Sequence, residues 1–263
     1  MDTVIEKQIM PVLFVSHGSP MLAVDNDKAR DFKEWGSALP KPKAILVFSA
    51  HWEGDQLALG ENKIHNELIY DFSGFPENLY KLQYPAPGSQ WLAETVQEIL
   101  RDKVNVPITR RGLDHGVWVP FLHLWPQSDI PVMQMSMPTN LSNSELYELG
   151  EQLAPLREQG VIIVTSGVIT HNLREYFSHQ HDNTPADWAK SFDDWVVNVL
   201  RQRDSSSLLN WETQAPDAIR NHPTAEHFRP LLIAAGASEM KNVFFPVEGF
   251  DGGILSNRSV QFD

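Results

Sequence analysis

Four short apolar runs, Val12–Val15, Ala44–Phe48, Pro131–Met135 and Val161–Thr165, constrain the fold of this chain most strongly. None alternates apolar with polar residues, so none has a face to offer to water. Extended segments of this kind belong in sheets covered on both sides, the habit of parallel or mixed sheets flanked by helices. The intervening segments have helical spacing. Behind Ser89, a capping residue type, Trp91, Leu92, Val96, Ile99 and Leu100 recur at helical intervals. Ser142 and Glu145 have the spacing of a capping box ahead of Leu146, Leu149 and Leu153, and Asp187 to Val199 carries Trp188, Phe192, Trp195 and Val196 in the same manner. Residues 23–37 read as a helix of mixed character, closed by the two prolines of "LPKPK". Strand and helix alternate, which predicts an α/β fold with a central mixed or parallel sheet between helices. The segment "NVFFPVEGFDGGILSNRSVQF" departs from that rhythm; its two extended runs around "GFDGG" predict a C-terminal β-hairpin at the end of the sheet.

No linker interrupts the 263 residues, so a single catalytic domain over residues 1–263 is expected. The chain has 21 basic and 34 acidic side chains, a net charge of −13, with no long Lys/Arg run. That balance argues against binding to nucleic acid or to an anionic membrane surface. Cysteine is absent, which removes disulfides, thiolate nucleophiles, iron–sulfur clusters and Cys-based zinc sites together. Any metal must be held by His, Asp or Glu. The apolar start "MPVLFV" is too short for a signal-peptide core and has no basic leader, and no run approaches the roughly 20 apolar residues of a membrane span. A cytoplasmic location is expected. No feature of the sequence fixes an oligomeric state.

The ten histidines are not equivalent. His17 and His51 each follow the end of a predicted strand, and His171 lies five residues past Ser166 in "VIIVTSGVITHNL". Ligands of open α/β sheets collect at the carboxyl ends of the strands, so imidazoles remote in the chain can converge there. His115 precedes a short helical pattern in "GLDHGVWVP". His227 stands near the start of "AEHFRPLLIAAG", where Pro223 and Thr224 mark the beginning of a helix. One such histidine alone is more often structural; five in a Cys-free chain point to a metal. His123 reads as a helix residue against the core, and His179 and His181 as a solvated loop. His65 and His222 are ambiguous, with His65 a candidate to reach the site. The long loop from Tyr70 to Gly88 carries Tyr70, Phe72, Phe75, Tyr80 and Tyr84, either as walls for a ligand or as a cluster packing the loop down. The spacings of H-E-x-x-H, G-x-G-x-x-G, the P-loop and G-x-S-x-G are all missing. Ser19 reads as a turn residue or helix cap.

Seven motifs carry a family resemblance. "SHGSP" at 16–20, "SAHW" at 49–52, "DFSGFP" at 71–76, "YPAPGS" at 84–89, "DHGVWVP" at 114–120, "SGVITHNL" at 166–173 and "PTAEHFRPLL" at 223–232 resemble, in order, the class III extradiol ring-cleavage dioxygenases. The branch is that of the DOPA 4,5-dioxygenase-like proteins, and the likeness runs from near residue 11 to the C-terminal segment. The resemblance implies one α/β domain holding one divalent metal, Fe(II) for dioxygenase activity or Zn(II). It implies a catechol such as L-DOPA, together with O₂, as partners. It matches His17, His51 and His227 to metal ligands, His171 to either a ligand or an acid/base, and His115 to a histidine that either supports the ligands from behind or is catalytic. Relatives that cleave protocatechuate complete the site with a glutamate, whereas here His227 stands beside Glu226, leaving the last ligand open. Phe72, Phe75 and Trp118 are candidate stacking surfaces for a flat substrate. Asn172 is a candidate to orient it, with helix capping as the alternative. A zinc-dependent hydrolase and a non-catalytic binding protein are the other readings of the same scaffold.

Overall fold

Successive residues along each central strand enter different hydrophobic cores, which is why these runs cannot alternate with polar residues. The computed structural model describes residues 8–65, 67–179 and 184–263. Strands β1 (Val12–Ser16), β2 (Ala44–Gly54), β3 (Val132–Pro138) and β4 (Val161–Gly167) pair in parallel. They are followed by β5 (Val243–Val247), β6 (Phe250–Asp251), β7 (Leu255–Ser256) and β8 (Ser259–Phe262). The main sheet has the order β3-β2-β4-β1-β8-β5, and β8 runs antiparallel to both β1 and β5.

The helices are α1 (Asn26–Ala38), α2 (Gln90–Leu100), α3 (His115–Leu124), α4 (Asn143–Leu153), α5 (Leu173–Ser178) and α6 (Asp187–Gln202). Three short ones follow, α7 (Ser205–Leu209), α8 (Trp211–Gln214) and α9 (Ala218–Asn221), and then α10 (Arg229–Ser238). Phe14, Leu46, Met133 and Ile163 pack with α2, α4, α6 and α10 on one face of the sheet. Their chain neighbours Leu13, Ile45, Val132 and Ile162 pack with α1 and α3 on the other. The predicted caps form: Ser89 Oγ accepts from Leu92 N, and Ser142 and Glu145 make a reciprocal capping box. Helix α1 ends at Ala38, ahead of the prolines.

The C-terminal segment is a hairpin with a second one inside it. Strands β5 and β8 pair on the sheet edge, and β6 and β7 form a separate two-stranded ribbon at "GFDGG". The buried Asp193 on α6 pins this segment by accepting from Ser256 Oγ at 2.6 Å and from Arg258 Nε and Nη2 at 2.9 and 2.7 Å.

Two boundaries differ from the sequence reading. Strand β2 does not stop at Phe48. Its pairing with β3 breaks after Phe48↔Met135 and resumes at Glu53↔Met137, so His51 lies in an irregularity within the strand, not beyond it. Helix α10 starts at Arg229, six residues after Pro223, because the preceding segment is held in turns: Val168 N donates to His227 O, and Phe228 N and Arg229 N to Ala225 O, all at 3.0 Å. His227 therefore precedes the helix. His65 does not reach the site, because its Nε2–H donates to Val132 O on β3 at 2.9 Å. His123 donates likewise to Leu22 O at 2.8 Å, within the core as expected. His179 is exposed at the end of α5, and His181 lies outside the described residues. Among the described residues, no helix is long and apolar enough to cross a membrane.

His222 is buried, with Nε2–H donating to Ile169 O at 2.7 Å. Burial lowers its pKa from the ordinary 6.5 to about 4, partly opposed by that hydrogen bond. The unfolded chain therefore binds a proton at this residue that the folded chain refuses. Stability from His222 is complete above pH 6.5 and is lost as pH falls toward 4, a loss of about 2 kcal/mol at pH 5. Urea unfolding at pH 7 and pH 5 is expected to show a smaller difference for His222→Gln than for the unchanged protein.

Candidate functional site

Backbone hydrogen bonds fix the strand-end residues before any side chain is considered. His17 follows β1 directly, and its N–H donates to Gly167 O at 3.1 Å, which extends the parallel pairing by one residue. Ser16 is held on both sides, its N–H donating to Ser259 Oγ at 3.0 Å and its hydroxyl to Ser256 O at 2.6 Å. Gly18 then adopts φ +59°, a conformation that favours glycine, and turns the chain into a short 3₁₀ turn over Pro20–Ala23. Ser19 caps that turn, accepting from Met21 N at 3.3 Å. His115 opens α3. Next to it, a Cβ on Gly116 would stand 2.6 Å from Ser49 Oγ and 3.1 Å from His51 Cδ2, so only glycine lets α3 approach β2 this closely. His171 follows β4, with its N–H donating to Asn221 O at 3.0 Å.

These placements bring five histidines together. The rings of His17, His51, His115 and His227 lie 4.0 to 5.4 Å apart wherever they contact, and His171 stacks flat on His227 at 3.6 Å. His17 Nε2 and His51 Nε2 are 3.1 Å apart, and His17, His51 and His227 can each present a ligand atom within 4.8 Å of the others. His171 belongs to a second such group, with Glu226 and His227.

The hydrogen bonds decide which nitrogen carries the proton. Ser166 Oγ donates to Gly116 O at 2.5 Å, so toward His17 Nδ1, 2.9 Å away, it can only accept. Glu226 Oε1 accepts from His227 Nδ1 at 2.9 Å and from Thr224 Oγ1 at 3.1 Å. Asp71 takes two rings: Oδ1 lies 2.9 Å from His115 Nδ1 and Oδ2 lies 3.2 Å from His51 Nδ1. Oδ1 also accepts from the His115 backbone N–H at 3.2 Å. His17, His115 and His227 thus hold their proton on Nδ1 and present Nε2 as a lone pair, while His51 turns its Nδ1 side toward the Asp71 carboxylate and its Nε2 toward His17. His17 Nε2 and His51 Nε2, 3.1 Å apart, are close enough to share one cation. Metal–imidazole bonds of about 2.0–2.1 Å bridge that span. The donor set fits a divalent ion of the zinc or iron type.

Protonation is unfavourable here. Burial, followed by the mutual repulsion of the other histidines, holds His17 and His227 well below the ordinary histidine range. Burial and His115 lower His51, against the pull of Asp114 and Asp71. Burial lowers His171 to about 4, with Glu226 opposing. Burial would raise Asp71, but the hydrogen bond and charge of His115, with the charge of His51, outweigh it and leave the carboxyl below its usual range.

All five histidines line one cavity of about 590 Å³, together with Phe72 and Phe75. Trp118 does not line it. That side chain is fully buried, donates from Nε1 to Ile69 O at 3.1 Å, and backs Phe72 from behind at 6.1 Å between ring centres. Asn172 is also occupied elsewhere: its Oδ1 caps α5 by accepting from Glu175 N, and its Nδ2 donates to Arg220 O. Sequence reasoning missed Asp71 and Ser166 as partners of the imidazoles, and Leu173, Tyr176 and Phe177 as cavity wall. A usable signal existed for the serine, since Ser16, Ser49 and Ser166 each follow an apolar strand run, the first two one and two residues before a histidine.

Residues 11–252 match the family described as the catalytic LigB subunit of aromatic ring-opening dioxygenase. The chain is 41% identical to a 4,5-DOPA dioxygenase extradiol of Beta vulgaris, over 98% of each protein. It is 38% identical to the protein of the same description from Escherichia coli K12, over 99% of this chain and 97% of that one. A crystal structure of an uncharacterized Escherichia coli K12 protein superposes with a TM-score of 0.81 at 34% identity, covering 97% of this chain and 100% of the other. With nearly its whole length matched and five of its histidines gathered in one cavity, the chain belongs to the LigB family and is an oxidoreductase of the extradiol dioxygenase class.

Proposed function

We propose that this chain opens the ring of a catechol with O₂, using one divalent metal, Fe(II), held by His17, His51 and His227. The observation that carries this reading is the convergence of His17, His51 and His227 within ligand distance of one another, with the Nδ1–H of His17 and His227 bonded to Ser166 and Glu226 and the Nδ1 of His51 facing Asp71 at 3.2 Å. Glu226 is bonded to His227 Nδ1, which supports a role behind the ligand and not as one. The bound metal would supply a Lewis-acidic centre with open positions for the two catechol oxygens and for O₂. The reaction breaks the ring C–C bond beside the diol, and both atoms of O₂ enter the product, so no external reductant is needed.

The protein groups handle protons and position. His115, with its proton fixed on Nδ1 by Asp71, has a basic Nε2 to take the proton that a catechol hydroxyl sheds. His171 stacks on His227 outside the His17–His51–His227 group, which supports a proton-transfer role beside the metal over a place among its ligands. Phe72 and Phe75 offer faces to a flat ring, while the buried Trp118 keeps Phe72 in place.

Anaerobic reconstitution with Fe(II), followed by O₂ and a catechol, is expected to yield a coloured ring-opened product, and Zn(II) loading is expected to yield none. Failure with every catechol, or hydrolysis of an ester supported by Zn(II) without O₂, would reject the proposal. Asp71→Asn puts an NH₂ group in place of one of the two carboxylate oxygens that face His115 and His51. Metal affinity, read as Fe(II) retained through dialysis, is expected to fall about 10- to 100-fold. Gly116→Ala forces a methyl group against Ser49 and His51. It is expected to destabilise the fold by about 1–3 kcal/mol in urea unfolding and to lower the retained metal.

A further inference from the structure

We infer that Arg111 and Ser49 are positioning residues of the reaction: they hold the main chain of His51 where the sheet does not, and so aim its ring at the metal; this rests on the metal reading above. Within β2, residues 44–49 are in register with β4, and residues 45–48 and 53–54 with β3, so Ala50, His51 and Trp52 have no registered partner in either neighbouring strand. The other two proposed ligands are held by main-chain bonds, from His17 N–H to Gly167 O at 3.1 Å and from Val168 N–H to His227 O at 3.0 Å. At His51, side chains replace them. Its N–H donates to Ser49 Oγ at 3.2 Å, and its carbonyl accepts from Arg111 Nη2 at 3.0 Å. Main-chain groups away from water need such partners, and an irregular stretch of strand re-aims the side chain it carries.

One carboxylate orients both anchors. Asp114 is fully buried; its Oδ1 accepts from Ser49 Oγ at 2.7 Å, and its Oδ2 accepts from Gln134 Nε2 at 2.5 Å and lies 3.5 Å from Arg111 Nη2. The Arg111 guanidinium also lies 4.8 Å over the ring of Trp52, the residue after His51. Asp114 in turn directly precedes His115, whose ring centre is 4.0 Å from that of His51. The same carboxylate therefore ties the segment that carries His51 to the start of the helix that carries His115. Neither Arg111 nor Ser49 lines the cavity, so each acts through His51. Removing the guanidinium frees the His51 carbonyl, and removing the hydroxyl frees its N–H; in both cases the ring loses its fixed direction while the rest of the sheet keeps its pairing.

The test compares Arg111→Gln, Arg111→Lys and Ser49→Ala with the unchanged protein. Fe(II) retained through dialysis is expected to fall about tenfold in Arg111→Gln and Ser49→Ala, and to recover in part in Arg111→Lys, whose ammonium keeps a donor for the carbonyl. The absorption spectrum of the Co(II)-loaded protein, which reports ligand geometry, is expected to change in Arg111→Gln and Ser49→Ala. Without metal, amide exchange over residues 49–53 is expected to be at least about tenfold faster in Arg111→Gln. Asp193→Asn controls for stability alone, since it disturbs a buried carboxylate bonded to Ser256 and Arg258 in the C-terminal segment. It is expected to lower the urea midpoint and to leave Fe(II) retention and the Co(II) spectrum unchanged. Should Arg111→Gln fail to fold, Ser49→Ala, which removes one hydroxyl, decides. Unchanged retention and spectrum in the folded variants, or an equal loss of metal from Asp193→Asn at equal loss of stability, would overturn the inference. An unchanged protein that retains neither Fe(II) nor Co(II), with exchange still faster in Arg111→Gln, would reject the metal reading and leave the anchoring of His51 standing.

Discussion

The arrangement depends on where each imidazole keeps its proton. A histidine with an unassigned tautomer is an ambivalent ligand, because either nitrogen can donate. Here the choice is made by groups that cannot donate in return. Asp71 and Glu226 are carboxylates, and the Ser166 hydroxyl has already given its hydrogen to Gly116 O. The Ser166 case joins three elements at one atom, since β4 supplies the hydroxyl, α3 the carbonyl and the end of β1 the ring. Docking of α3 onto the sheet and orientation of His17 are therefore one event. The absence of a side chain at Gly116 is what allows it.

The central strands were legible because burial on two faces leaves a plain mark, an apolar run without alternation. The helix caps were legible for a similar reason, being local chemistry between residues three apart. What escaped was whatever depends on contacts distant in sequence. Strand β2 passes through His51 because pairing with β3 resumes at Glu53, a fact held by the partner strand and not by "SAHW". Proline and threonine at 223 and 224 resemble a helix start, yet the backbone from 222 to 228 is bonded into turns and to Val168, which keeps His227 outside α10.

The candidate site divides along the same line. Junction histidines were found by position at strand ends, a rule about sheets in general. Asn172 and Trp118, near such positions, were attractive as residue types, but Asn172 caps α5 and bonds Arg220 O, and Trp118 is fully buried against Phe72 and offers no face to the cavity. Asp71 was hidden for the opposite reason. It lies in a loop 44 residues from His115 and 20 from His51, and nothing local marks a carboxylate that will hold two rings.

Two halves of the cavity are secured to very different degrees, and this separates chemistry from selectivity. The histidine half rests on strand pairing and on hydrogen bonds from backbone groups at the buried carboxyl ends of β1 and β4. The opposite wall includes α5, a six-residue helix with no buried residue, whose apolar side chains face the cavity and solvent. Substitutions on α5 disturb few packed neighbours, whereas any change among the strand ends propagates through several hydrogen bonds at once. A scaffold built this way can change its α5 wall with little consequence for the histidine cluster, whose geometry stays tied to the sheet. Loops and short helices on a rigid scaffold are where binding specificity resides in general. In this chain the physical reason is that the Nδ1–H partners of the imidazoles, Ser166, Asp71 and Glu226, all lie outside α5.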